Sequence, residues 1–229
     1  MPRFTKDKPA VPLPWHLTVL RHTDVIVIAA TAVGVMHLRT SHALFYSLGS
    51  TATSFTAKGL KRIIKQPRPE GSYNKRTHGM PSTHSSSITF MGLYLCLSFL
   101  LLPLHPSVPV PSALTKPMPA SSSASEATIW SDLSVRAAYA LCSSAIPAVV
   151  IWSRVALGLH TPAQCAVGAL LGAFNAVTLF TTWNGLRVWG LSELPLPAVA
   201  VNGIGSTVGV WADGWLQVLE QEARRRWLS

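Results

Sequence analysis

The stretch from Ile88 to Leu104 holds no charged residue, and it opens directly from a short hydroxyl-rich run, Gly79-Met80-Pro81-Ser82-Thr83-His84-Ser85-Ser86-Ser87. Five further apolar runs accompany it: Val25 to Leu38, Ala43 to Leu60, Ala137 to Trp152, Ala163 to Thr182 and Leu194 to Leu216. Only 12% of the 229 residues are charged, about half the fraction usual for a soluble domain. Segments of this kind belong in a bilayer, where each must satisfy its own backbone N–H and C=O groups and therefore coils into a helix. The fold expected is all-α: a polytopic membrane helical bundle with five to six transmembrane helices.

The runs differ in ways that bear on packing. Val25 to Leu38 is only 14 residues long, short for a bilayer, and must lean on neighbours. Ala43 to Leu60 is rich in Ser and Thr and holds Lys58, which suits a helix inside a bundle, its hydroxyls bonded to backbone or to neighbouring helices. Pro147 falls inside the fourth run, where neighbours must satisfy the carbonyl it frees. Gly168, Ala169, Gly172 and Ala173 in the fifth let helices approach closely. The last run is interrupted by Asn202, Gly203, Gly205, Gly209 and Asp213, and counting it as a span gives six. Cys96, Cys142 and Cys165 sit within apolar stretches and are expected to be buried thiols, with no disulfide framework.

One compact unit is expected, in three parts. Residues 1–23 read as an N-terminal extended segment, 24–217 as the membrane domain, and 218–229 as a basic C-terminal tail. Within the domain, the Pro-, Ser- and Ala-rich stretch 104–132 reads as a disordered loop. Basic residues outnumber acidic ones by 19 to 9. They gather beside apolar spans without an aromatic-basic face, so an anionic membrane surface and an anionic substrate account for the excess and nucleic acid does not.

The hydroxyl-rich run is where chemistry is expected. Pro81 is tolerated in a first helical turn, and Ser82 and Thr83 are natural caps. A helix beginning there exposes unpaired N–H groups and a positive dipole end, which favour an anion such as phosphate. His84 among those donors can pass a proton to or from it. Two other stretches share this character: Lys61-Arg62-Ile63-Ile64-Lys65-Gln66-Pro67-Arg68-Pro69, and Ser153-Arg154 followed by His160-Thr161-Pro162-Ala163-Gln164. The first ends the second span, the hydroxyl-rich run starts the third, and the last links the fourth to the fifth. Parity alone puts all three on one side of the membrane.

In order and spacing these stretches resemble the three motifs of the type 2 phosphatidic acid phosphatase and vanadium haloperoxidase superfamily. Lys61, Arg68, Pro69, Pro81, Ser82, His84, Ser153, Arg154 and His160 match; Gln164 stands where most of the superfamily has Asp. The Gly79-Met80 and His160-Thr161-x-x-Gln164 details are closest to the dolichyl-diphosphatase branch. The resemblance implies an integral-membrane lipid diphosphatase that hydrolyses dolichyl diphosphate to dolichyl phosphate and phosphate, in support of dolichol recycling for protein N-glycosylation. His160 is then the nucleophile that becomes phosphohistidine, and His84 the acid that protonates the leaving oxygen and afterwards activates water. Lys61, Arg68 and Arg154 supply positive charge for phosphate, and Ser82 and Thr83 complete the cradle. Gln164 orients His160 through its carbonyl but cannot stabilise an imidazolium as Asp would, so Gln164→Asp is expected to raise monoester hydrolysis. No cofactor and no metal are implied.

The resemblance also implies a multi-pass protein of the endoplasmic reticulum membrane with a lumenal site. The positive-inside rule opposes this. With six spans, the motif side would carry Arg3, Lys6, Lys8, Arg21, Lys75, Arg76 and Arg224 to Arg226, nine bases against four on the other (Arg39, Lys116, Arg136, Arg187); if the last run does not span, Arg224 to Arg226 change sides and the count of six against seven carries no bias. Two other functions fit the same residues: a phosphatase of phosphatidate or sphingoid-base phosphate, and a catalytically silent membrane protein that binds prenyl lipids.

Overall fold

The computed structural model describes residues 14–70, 77–104, 108 and 124–228. Among these the regular structure is entirely helical: α1 (Trp15–Arg21), α2 (Thr23–Leu38), α3 (Ser41–Ile64), α4 (Thr83–Leu101), α5 (Ala124–Ala156), α6 (Pro162–Asn184), α7 (Ala198–Asn202) and α8 (Val208–Leu228), with 3-10 turns at Leu186–Trp189 and Ile204–Ser206. Among the described residues, three helices are long and apolar enough to cross a membrane: α4, the part of α5 from Leu133 to Ala156, and α6. The α1–α2 pair, bent by 63° at its junction, adds a fourth if taken as one broken span. This falls short of the five to six expected.

The shortfall has two sources. The run 194–216 does not form one helix; it breaks at Gly203 between α7 and the second 3-10 turn. The second source is α3, which is long enough at 24 residues but too polar. It nevertheless runs the full height of α6: His42 near its start stacks on Trp183 at the end of α6, Thr53 bonds Asn175 midway (3.1 Å), and the strand of chain just beyond its end reaches Gln164 at the start of α6. Its hydroxyls turn back on their own helix, as Ser47 does to the Ala43 carbonyl (2.8 Å) and Thr56 to that of Ala52 (2.9 Å). That bonding removes much of the cost of holding them among apolar neighbours.

Three boundaries also differ from expectation. Residues 15–21 are helical rather than extended, and residues 1–13 lie outside the described part. Of the expected loop 104–132, residues 105–107 and 109–123 lie outside it as well, and from Ala124 onward the chain is already α5. The C-terminal segment is the end of α8, braced by Arg224–Glu220 and Arg226–Glu222 pairs one turn apart.

α4 is the centre of the bundle, packed on α6, α5 and α3. Its core contact is Phe90 and Tyr94 against Ala176 and Phe180. The helices close on one another where α6 has no side chain: a Cβ on Gly168 would stand 2.6 Å from the Ser82 carbonyl oxygen, and one on Gly172 would strike that of Ser86. On α5, Pro147 fits against Gly92 of α4. Outward-facing positions are apolar, among them Leu141, Ile146, Leu170 and Phe174, which suits contact with lipid. Cys142 is exposed on this outer surface, contrary to the expected burial, while Cys165 is buried.

The two ends of the bundle are chemically distinct. At one end α8 braces the start of α3: Asp213 accepts from the Ser41 N–H (2.6 Å), the Gly209 carbonyl accepts from its hydroxyl (3.1 Å), and Glu220 pairs with Arg39. The three sequence motifs gather at the other end. Because Arg224 shares Glu220 with Arg39, the Arg224 to Arg226 cluster belongs to the end opposite the motifs. Moving those three bases changes the count from nine against four to six against seven. The positive-inside rule then names no side, and its conflict with a lumenal site disappears.

Candidate active site

The order of this end begins with a helix cap. Thr161 caps α6, its hydroxyl accepting from the Gln164 N–H (3.2 Å), and Gln164 returns its side-chain oxygen to the Thr161 N–H (3.3 Å). This is a reciprocal capping box with Pro162 in the first turn, where its missing N–H costs nothing. Gln164 and His160 therefore do not share a helix face, since His160 precedes the cap.

Gln164 does far more than cap. It is 1% exposed, and its amide nitrogen donates to the Pro67 carbonyl (2.8 Å) and to Gln66 Oε1 (3.2 Å). Its oxygen also meets His160 Nδ1 at 3.2 Å, and its backbone carbonyl accepts from the Ser82 N–H (3.0 Å). One residue thus ties all three motifs together. Two of its partners have fixed roles: the Pro67 carbonyl can only accept and the Thr161 N–H can only donate. They settle which end of the amide is oxygen, a choice that the network and not the atom positions must make. With oxygen toward His160, Nδ1 must carry the proton, and Nε2 presents its lone pair.

Arg68 faces that lone pair. Its Nη1 donates to the Leu159 carbonyl (3.0 Å) and lies 3.3 Å from His160 Nε2, while Nε and Nη2 hold the Thr77 carbonyl (3.1 Å) and hydroxyl (3.0 Å). His160 is 4% exposed. Burial, and then the charges of Arg68 and Lys61, push its pKa down from 6.5 to about 4, against the opposing hydrogen bond from Gln164. The ring is thus neutral at physiological pH.

α4 begins where expected, with Ser82 as its cap, although Pro81 precedes the cap after a cis peptide bond instead of occupying the first turn. Ser82 is fully buried, and its oxygen accepts from the Ser85 N–H (3.3 Å) and hydroxyl (2.9 Å), so its hydroxyl serves the helix start. Thr83 and His84 occupy the first turn and are half-buried. His84 lies within electrostatic reach of Arg154, Asp24, Lys61 and Arg68. Lys61, in the last turn of α3, is half-buried on the same side.

Arg154 is placed differently from Arg68. It is 2% exposed, and its Nη2 donates to the Thr23 hydroxyl (3.0 Å) and to the Leu20 carbonyl, both at the α1–α2 junction. The N-terminal helices are therefore part of this end. Sequence reasoning missed Thr23 and Asp24, which no motif spacing connects to Arg154, and also Thr77. Gln66 and Gly79 lay inside the quoted stretches without a role. Gly79 is buried because Gln164 occupies the space beside it: a Cβ there would stand 2.6 Å from both Cδ and Oε1 of Gln164.

A neutral imidazole of fixed tautomer, a guanidinium beside its free nitrogen, a second histidine in a helix's first turn and further cations nearby make a site fit to hold an anion and accept a phosphoryl group. Residues 42–187 match the model of the PAP2 superfamily. The chain is 26% identical over 162 residues to lipid phosphate phosphatase epsilon 2, chloroplastic, of Arabidopsis thaliana, covering 70% of this chain and 46% of that protein. It is 28% identical over 178 residues to dolichyldiphosphatase 1 of Homo sapiens, covering 76% of this chain and 67% of that protein. The chain thus spans less than half the length of the plant relative. No solved structure matches it.

Proposed function

The chain belongs to the PAP2 superfamily, and from that premise we propose that it is a lipid diphosphatase that removes the terminal phosphate of a polyprenyl diphosphate such as dolichyl diphosphate. The observation that carries the proposal is the His160 ring, held by Gln164 with its Nε2 lone pair toward Arg68. Nε2 attacks the terminal phosphorus, the bond to the bridging oxygen breaks, and His84 protonates the departing polyprenyl phosphate. Arg68, on losing its contact with Nε2 to a phosphoryl oxygen, holds that oxygen together with Lys61, and Arg154 and the first turn of α4, beginning at Thr83 beyond the Ser82 cap, serve the remaining oxygens. The Nδ1 proton stays on the ring throughout, donated to Gln164 Oε1. His84, now neutral, takes a proton from water, the hydroxide attacks phosphorus, and inorganic phosphate leaves as the P–N bond breaks.

A diphosphate suits this site. Its leaving group is a phosphate, which needs less proton donation and less push than an alkoxide, so a nucleophile oriented by a neutral amide suffices. The plant relative's name favours a second reading, hydrolysis of a phosphate monoester such as phosphatidate, at an identity so similar that the matches alone do not choose the head group. Phosphate release from polyprenyl diphosphate and from phosphatidate in the same micelles tests the choice. Faster cleavage of the diphosphate is expected, and a preference for phosphatidate refutes the substrate. The corresponding location is the endoplasmic reticulum membrane, with the site lumenal and serving dolichol recycling for glycosylation. A tag between residues 104 and 132 would then be digested by protease added to sealed microsomes, and a protected tag would place the site in the cytosol.

A further inference from the structure

Gln164 departs from the superfamily's Asp, and its surroundings show what the amide supplies that a carboxylate cannot. Its nitrogen has two hydrogens, and both are used, one on the Pro67 carbonyl (2.8 Å) and one on Gln66 Oε1 (3.2 Å). An ionised Asp has no hydrogen for either, would be one methylene shorter, and would set negative charge against two acceptor oxygens. The amide also has to be held in one of its two orientations, because turning it over would present N–H to His160 Nδ1 and move the ring's proton to Nε2, the atom that must attack. Three partners oppose that turn: the Pro67 carbonyl and the Thr161 N–H, whose roles are fixed, and the Gln66 oxygen, which gives the Gln164 amide nitrogen its second acceptor. The first two are backbone and come with the chain path. Gln66 is the one that a side chain provides.

We propose that Gln66 is a positioning residue for the nucleophile: paired amide to amide with Gln164, it locks His160 as the Nδ1–H tautomer and keeps Nε2 available for phosphorus. Gly79 belongs to the same device. The Gly79 N–H donates to the Gln66 carbonyl (2.7 Å), which fixes the backbone that carries Gln66. Its missing side chain leaves the volume that the Gln164 amide fills. In most settings an amide meeting a Cβ could swing aside; here its four hydrogen bonds pin it, so a methyl at position 79 would break the pair from the opposite side. Gln66 and Gly79 thus make the amide at position 164 workable, and the three form a matched set drawn from all three motifs.

The proposal rests on the phosphatase reading above, and its test separates the two. The full chain, purified in detergent, is compared with Gln66→Met, Gln66→Glu and Gly79→Ala for turnover of a polyprenyl diphosphate, for thermal unfolding, and for the ring-nitrogen shifts of 15N-labelled histidine, with the His160 signals assigned by their loss in His160→Asn. Wild type is expected to show His160 wholly as the Nδ1–H tautomer. Gln66→Met should show a mixture with the Nε2–H form and a kcat lower by about tenfold, the scale of one lost buried hydrogen bond, with KM changed less than about twofold. Gln66→Glu keeps an acceptor for the Gln164 N–H and should restore kcat to within about threefold of wild type. Gly79→Ala should shift the tautomer as Gln66→Met does, which keeps the test open if the Met variant fails to fold. An unchanged tautomer in folded Gln66→Met or Gly79→Ala overturns the proposal, as does a loss of kcat that Gln66→Glu shares in full. Absence of phosphate release by wild type would instead sink the phosphatase reading, and the tautomer comparison would still judge the pairing.

Discussion

Two helix N-termini meet at the motif end, and they treat their histidines in opposite ways. At α6 the capping residue is also the histidine's holder: Gln164 closes the capping box and accepts from His160 Nδ1 with the same oxygen. At α4 the cap is self-contained, Ser82 with Ser85, and no side-chain hydrogen bond fixes the His84 ring among the described residues. The difference matches two jobs. A nucleophile needs one tautomer and one direction of attack. An acid that later becomes a base must face a leaving oxygen and then a water, and a ring tied to a single partner would serve only one of them.

The sharpest way to break this contrast is to remove each ring. His160→Ala should abolish turnover, a loss of roughly 10⁴-fold or more, and should never acquire label from substrate carrying radioactive terminal phosphate. His84→Ala should lose about 10²- to 10⁴-fold, yet still acquire label and keep it, since attack survives better than hydrolysis of the intermediate. A labelled His160→Ala protein would end the assignment of the held ring as nucleophile.

Next in size is Gln164→Asp. Read from the motif alone, this change restores a superfamily residue and raises monoester hydrolysis. The hydrogen bonds of the amide nitrogen argue the reverse: a carboxylate facing the Pro67 carbonyl and Gln66 Oε1 should lower turnover of diphosphate and phosphatidate alike by roughly tenfold or more, with a stability loss of about 1–3 kcal/mol. Kinetics on both substrates together with thermal unfolding check it, and faster phosphatidate hydrolysis would restore the simpler view of position 164.

Smaller effects should come from the N-terminal helices. Thr23→Val removes one acceptor from Arg154 and leaves the Leu20 carbonyl, so kcat/KM should drop about fivefold, the scale of ~1 kcal/mol. No change would mean that the α1–α2 junction does not position Arg154 for phosphate.

The remaining expected effect is on pH dependence, and it sharpens the account of the held ring. With its pKa lowered from 6.5 to about 4 in the folded chain, His160 binds fewer protons folded than unfolded between those values. Its contribution to stability is therefore full above pH 6.5 and is lost as pH falls through about 4. The unfolding temperature should decline as pH is lowered from 7 to 5, and His160→Gln should flatten that decline. In kcat/KM, the acid limb that belongs to His160 should lie near 4 and not near 6.5.

What the sequence determined by itself follows from local rules. Hydropathy marked α4, α5 and α6 as membrane-length helices, because burying apolar side chains depends on runs of neighbours along the chain. Ser82 and Thr161 declared helix starts, because a cap reaches only to the third residue beyond it. Parity of the crossings, together with the motif spacing, put Lys61, Arg68, His84 and His160 at one end. Sequence reasoning failed where the partner is remote. Gln164 and Gln66 are 98 residues apart, and Arg154 and Thr23 are 131 apart. Nothing local in either residue says that they will touch. The same holds for α8, whose Glu220 decides the end to which Arg224 belongs. A hydrogen bond needs its two atoms within about 3 Å. Over such separations only the packing of α6 on α4 and of α1–α2 on the motif end brings atoms that close, so the tertiary structure alone decided what Gln164 holds and what holds Arg154.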